Sequence, residues 1–151
     1  MFNVRVYGIL TDENRRVLVS DECIRGNLFT KFPGGGLEFG EGTRACLERE
    51  FREETGLEVT VLDHLYTTDF FQLSAFHTQQ QIIAIYYWVR AKDLSGIRVH
   101  SRPFAFTADQ LNDPEGQFEA LRWIAWDDLE ESLLTLPIDR VVVRQLKQQH
   151  A

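Results

Sequence analysis

The sequence predicts an α/β fold, a mixed β-sheet covered by helices in a sandwich. Three observations carry this expectation. Strand-like runs with a period of two recur along the chain, and "IIAIYYWV" (Ile82–Val89) is apolar on both parities, as in a strand buried on both faces. A single convincing helix, Thr43 to Thr55, interrupts the strands, and a second, Pro137–Gln149, closes the chain. A sheet with one helix inserted midway and one at its end is covered on two sides.

Taken in order, Phe2–Leu10 reads as a strand, with Phe2, Val4 and Val6 alternating against Asn3, Arg5 and Tyr7. Turn residues at Thr11–Asn14 lead to a second strand, Arg16–Ser20, which suggests a hairpin with the first. Phe29–Phe32 is a short extended piece ended by Pro33 and three glycines. Thr43–Thr55 holds good helix formers and no proline, and Gly56 stands where a helix stops. Val59–Leu73, mostly β-branched or aromatic, forms one or two strands. Gln80–Ala91 and Gln117–Ala125 are further strands, and Trp126–Leu133 starts a helical turn. Pro137 opens the last helix, a position proline favours. Ser95–Glu115 is the long irregular connection.

The 151 residues fit one domain, residues 1–151, and 44% hydrophobic with 12% aromatic content suffices for a core. No segment reaches the ~18 apolar residues of a membrane span. The N-terminus enters a strand pattern at once and has no export signal, and Cys23 and Cys46 have no CxxC partner. A reduced, cytoplasmic protein is therefore expected. A net charge of −7 argues against bulk nucleic acid as partner. A small anionic substrate remains compatible if a divalent cation screens its approach.

The segment "GGGLEFGEGTRACLEREFREETGL" (Gly34 to Leu57) concentrates charge. At about 100° per residue, Glu54 lies about 40° to one side of Glu50 and Glu53 about 60° to the other, so three carboxylates share one arc. Thr43 and Cys46 fall on the same arc, with Leu47 and Phe51 as its apolar flank. A solvated face would intersperse lysines four residues on. Arg49 and Arg52 are instead expected to project well away from the arc. The cluster suits a hard divalent cation. The glycines allow close approach of a ligand, and they lead to a helix start that favours phosphate.

The segment resembles the Nudix box, G-x5-E-x7-R-E-U-x-E-E-x-G-U with U apolar. Gly35, Glu41, Arg49, Glu50, Phe51, Glu53, Glu54, Gly56 and Leu57 all match. Seven of these positions demand one residue type, a chance match on the order of one in a hundred million at ~7% each. The resemblance implies a Nudix-type α/β/α sandwich with a mixed β-sheet, and hydrolysis of a nucleoside diphosphate linked to another group. It implies Mg²⁺ or Mn²⁺ on Glu50, Glu53 and Glu54, joined by the carbonyl of Gly34. Arg49 would orient the carboxylates, or act only as a helix salt-bridge partner. Glu41 would bond within the loop and helix or reach the metal through water. The general base is assigned to Glu53 or Glu50, with Glu115 and Glu119 as rivals otherwise read as solvated acids.

Substrate readers are less legible. Gly35, Gly36, Phe71 and Glu119 are the candidates. Phe70, Phe71 and Phe76 with Gln72, Gln79, Gln80 and Gln81 could stack on and bond a base, as could Phe104 and Phe106. Core packing is nonetheless the preferred reading for most of these rings. Arg25, Lys31, Arg98 and Arg102 could steer phosphates but read as solvated. His64, His77, His100 and His150 show no metal spacing. "DFFQLSAF" lacks the proline of the ADP-ribose subgroup, and the tyrosine of diadenosine-polyphosphate types is also missing. The expected partner is a small-molecule nucleoside diphosphate derivative, with homodimerisation left open. The alternative function is a regulatory domain that binds a nucleotide metabolite without cleaving it. Such regulators usually add a second domain and lose box glutamates, and the glutamates are intact here.

Overall fold

The computed structural model describes residues 1–150. The chain divides into two compact units, one of Met1–Asp12 and Pro33–Ile97, the other of Glu13–Phe32 and Arg98–Ala151.

The first unit is a four-stranded sheet carrying one helix. Its strands are β1 (Phe2–Leu10), β4 (Gly34–Gly36), β5 (Val59–Thr67) and β6 (Gln81–Ala91), in the order β4-β1-β6-β5. β1 runs parallel to β6 from Phe2↔Gln81 to Leu10↔Val89, whereas β1–β4 and β5–β6 are antiparallel. The sheet is therefore mixed, as the sequence predicts. Burial along β6 alternates only weakly, in line with its apolar residues on both parities. Helix α1 (Thr43–Thr55) has the predicted bounds, and Gly56 closes it at φ 75° with its N–H donated to the Arg52 carbonyl. Cys46, Leu47 and Phe51 form its buried stripe. Gly8 lets the helix approach β1. A Cβ there would stand 2.6 Å from the Phe51 ring and 2.7 Å from Val89.

The second unit is a three-stranded antiparallel sheet of β2 (Arg16–Ile24), β3 (Asn27–Lys31) and β7 (Gln117–Ala125), in the order β3-β2-β7. Its helices are the one-turn α2 (Ala108–Leu111) and α3 (Pro137–Gln149). α3 buries Ile138, Val142, Val143 and Leu146, and Lys147 reaches back to the Trp126 carbonyl at 2.6 Å. Trp126–Asp128 and Glu131–Leu133 are 3-10 turns.

Two local expectations are corrected. β1 and β2 do not form a hairpin, because β1 pairs with β4 and β6, and β2 with β3 and β7. Val17–Cys23 is buried on both parities and extends beyond Ser20, as a central strand requires. The hairpin is β2–β3, turned by Arg25 (φ 51°) and Gly26 (φ 81°), both left-handed as a two-residue primed turn demands. The three glycines are likewise a paired strand, with Val6↔Gly35 in register. The Ser95–Glu115 connection contains α2, whose Thr107 and Gln110 form a reciprocal capping box. Asp21 pins the same connection, accepting from the Phe104 N–H at 3.2 Å and from Arg122 at 2.6 Å.

Candidate active site

Each residue of β4 meets one polar side chain of α1. The Gly34 N–H donates to the Glu54 carboxylate at 3.2 Å. Gly35 gives its missing side-chain volume to Glu50, since a Cβ there would lie 2.5 Å from that carboxylate. The Gly36 carbonyl accepts from Arg49 Nη2 at 3.1 Å. Gly34 itself has φ 147°, and a Cβ there would collide with the Val6 carbonyl oxygen. The backbone thus requires glycine at Gly34, while at Gly35 a side chain would displace the Glu50 carboxylate. The helical spacing of Glu50 and Glu54 brings both carboxylates to one strand.

Arg49 does not project away from the carboxylates. Its guanidinium donates to Glu41 at 2.7 and 3.0 Å, to Glu50 at 3.0 Å and to Glu53 at 3.2 Å, with Glu38 at 3.7 Å. The angle of its Cα on the helix misleads, because a long side chain folds along the surface and presents five donors in a fork. Arg52 does turn away, to Glu58 at 3.0 Å. Glu41 bonds within the loop and helix, accepting also from the Glu38 N–H at 2.9 Å. The bonds from Arg49 and then Glu38 hold its carboxyl at about 2, well below its ordinary value. Arg49 is in turn held protonated, first by Glu41. Burial, then the bond to Glu41, pushes the Cys46 thiol up to about 12, so it stays neutral.

The donor set suits a hard cation: three carboxylates beside a glycine backbone, all oxygen. The cradle that Gly35 leaves for Glu50 fits that use. Among the described residues no three His, Cys, Asp or Glu side chains converge as a ready-made metal cluster. Glu53 is 59% exposed and tied to Arg49, whereas Glu50 is 14% exposed.

The other candidates lie apart in sequence. Phe71 stands 66% exposed between β5 and β6. Glu119 is on β7 in the second unit, register partner of Glu22. The core reading fails for Phe70, Phe71 and Phe76, which are 38%, 66% and 54% exposed on the connection between β5 and β6. It holds for Phe104 and Phe106, which pack with Cys23 and Ala120. Lys31 is buried, not solvated, and pairs with Glu22 at 3.2 Å. Arg5 escaped the sequence reading: its Nε donates to Tyr7 Oη at 2.6 Å beside Gly36. The polar parity of Asn3, Arg5 and Tyr7 on β1 was its only signal.

A family model for the NUDIX domain matches residues 1–146. The chain belongs to the Nudix family. The match covers the whole of the first compact unit and the second as far as residue 146. An 8-oxo-dGTP diphosphatase of Proteus vulgaris is 34% identical over 55 residues, 35% of this chain and 49% of that relative. The match thus spans about half of the relative's length. Among solved structures, the E. coli ORF135 protein superposes with a TM-score of 0.69 at 19% identity, covering 99% of this chain and 91% of that one. The MutT protein of Methanosarcina mazei Go1 gives 0.68 at 17% identity, covering 99% and 96%. These likenesses are of fold, and the structural neighbours include Nudix hydrolases. No helix among the described residues is long and apolar enough to cross a membrane.

Proposed function

We propose that this Nudix protein is a Mg²⁺- or Mn²⁺-dependent pyrophosphohydrolase that cleaves a nucleoside diphosphate linked to another group, of nucleotide or nucleotide-sugar type. The observation that carries the reading is the delivery of Glu50 and Glu54 onto the glycine strand, with Arg49 bridging Glu41, Glu50 and Glu53. Glu50, Glu53, Glu54 and the Gly34 carbonyl would hold the metal. When bound, it would neutralise charge on the phosphate oxygens and supply Lewis acidity for attack by water. Arg49 fixes the carboxylates in place, and Glu41 anchors Arg49. The exposed Glu53, or Glu50, takes the proton of the attacking water. Gly36 leaves room for a diphosphate beside β4, whereas the space at Gly35 is taken by Glu50. Phe71 is a proposed contact to the remainder of the substrate. The diphosphatase named for the Proteus relative supports anhydride cleavage in a nucleotide.

Action as a single domain of residues 1–151, with a small-molecule partner and a cytoplasmic location, belongs to the same reading; Ala151 lies outside the described residues. The test is purified protein with a panel of nucleoside diphosphate derivatives and Mg²⁺. Cleavage of at least one member, abolished by EDTA, is expected. Tight binding of a natural nucleotide that survives hours with metal would instead make the protein a regulator.

A further inference from the structure

Two of the three glycines of β4 have a steric cause, and Gly36 does not. Its φ is not left-handed, and the nearest atom a Cβ would meet is Arg5 Nη1 at 3.7 Å, an ordinary contact. Neither strain nor crowding asks for glycine there. What the missing side chain does is leave room over the Arg5 guanidinium. Arg5 and Gly36 are register partners on β1 and β4, as are Tyr7 and Gly34. Arg5 is half-buried and braced by Tyr7 Oη at 2.6 Å, and the Tyr7 ring rests 5.3 Å from that of Tyr86. Successive strand residues face opposite sides. Glu50 therefore adjoins β4 on the side toward which Gly35 would carry a side chain, and Arg5 on the side of Gly36. β4 is the edge strand of its sheet and Gly36 its least buried residue, so the two groups lie on opposite faces of one strand.

We infer that Arg5 is a substrate-positioning residue, holding a phosphate of the diphosphate beside Gly36 while the α1 carboxylates serve the metal. A guanidinium fork matches phosphate oxygens, and partial burial strengthens the pairing. The need is real in a chain of net charge −7, where a multiply charged substrate must meet local positive charge. This rests on the phosphate-handling reading of the site, and its test is chosen to fail separately.

The probe is an α,β-methylene nucleoside diphosphate, with Mg²⁺, followed by calorimetry, and substrates of the panel followed by kinetics. Arg5→Gln is expected to weaken binding and raise KM about 10- to 100-fold, with a much smaller change in kcat. Arg5→Lys, which keeps charge and loses the fork, should fall between. Gly36→Leu, which covers the guanidinium, should weaken binding with an unchanged thermal melt. Binding by Arg5→Gln within about twofold of the parent would overturn the inference. So would a collapsed melt for Arg5→Gln together with normal binding by Gly36→Leu. Arg5-dependent binding without hydrolysis of any substrate would uphold the inference and overturn the catalytic reading.

Discussion

Gly34–Leu57 and Phe70–Gln80 belong to the same compact unit and treat their side chains in opposite ways. In the first, charged groups are tied to one another and to strand backbone. Arg49 alone joins Glu41, Glu50, Glu53 and the Gly36 carbonyl, and Glu54 caps the Gly34 N–H. In the second, three phenylalanines and Leu73 are exposed, and the segment is held by neutral bonds rather than by charge, such as the Ser74 N–H to the Gln80 carbonyl at 2.9 Å and the Phe76 and His77 N–H groups to Ser74 Oγ. Exposed rings forgo roughly 25 cal/mol of stabilisation per Å² left in water. The contrast teaches two ways of using surface: a segment that ties its charges to one another and to a strand, and one that leaves its rings exposed.

The largest effect should come from Glu54→Gln. The amide oxygen can still accept from Gly34, so the fold should survive while turnover falls on the order of 100-fold, as steady-state kinetics and a thermal melt would show together. Unchanged turnover would erase the distinction between the two segments.

Next come the two glycines. Gly35→Ala meets only the flexible end of Glu50, so turnover should drop about tenfold with a near-native melt. Gly34→Ala meets backbone at a left-handed φ and should lose more than about 2 kcal/mol of stability in denaturant titration. Equal melts for the two variants would contradict this assignment.

A smaller effect is expected outside the box. Phe71→Ser should shift the ranking of panel substrates by about three- to tenfold in kcat/KM without altering the metal requirement. An unchanged ranking would move selectivity elsewhere.

The smallest concerns acid. Glu41 has its carboxyl lowered from 4.5 to about 2, so its contribution is complete above pH 4.5 and disappears as pH falls through 2. The melting temperature of Glu41→Gln should lie below that of the parent at neutral pH, and the gap should close toward pH 2. A gap that stays constant would show that the Glu41–Arg49 bond does not depend on the carboxylate.

Local signals made much of this legible in the sequence. Thr43–Thr55 and Pro137–Gln149 announce their bounds through helix formers, Gly56 and Pro137, and β1 shows its start through the alternation of Phe2, Val4 and Val6 with Asn3, Arg5 and Tyr7. Pairing was not legible, because strand partners are chosen over long separations: β1 meets β6 some eighty positions on rather than β2. The glycine run reads as a turn by composition, yet it is a strand because it pairs with β1, and the Gly35 position leaves its side-chain space to Glu50. Arg49 was misplaced because helical angles locate Cα atoms and not the ends of long side chains. The bonding of Glu41 within the loop and helix was one of two expectations from the motif and the arc came from helical spacing, while Arg5 carries no motif at all.

The central claim is that the charge α1 gathers beside β4 serves to cleave a phosphoric anhydride with the help of a divalent cation. Its most direct test is turnover of the nucleoside diphosphate panel in ¹⁸O-labelled water, with Mg²⁺ and again with excess EDTA. The account expects label in a phosphate product with Mg²⁺ and no turnover with EDTA. Full activity in EDTA, or an intact nucleotide after prolonged incubation with metal across the whole panel, would contradict it.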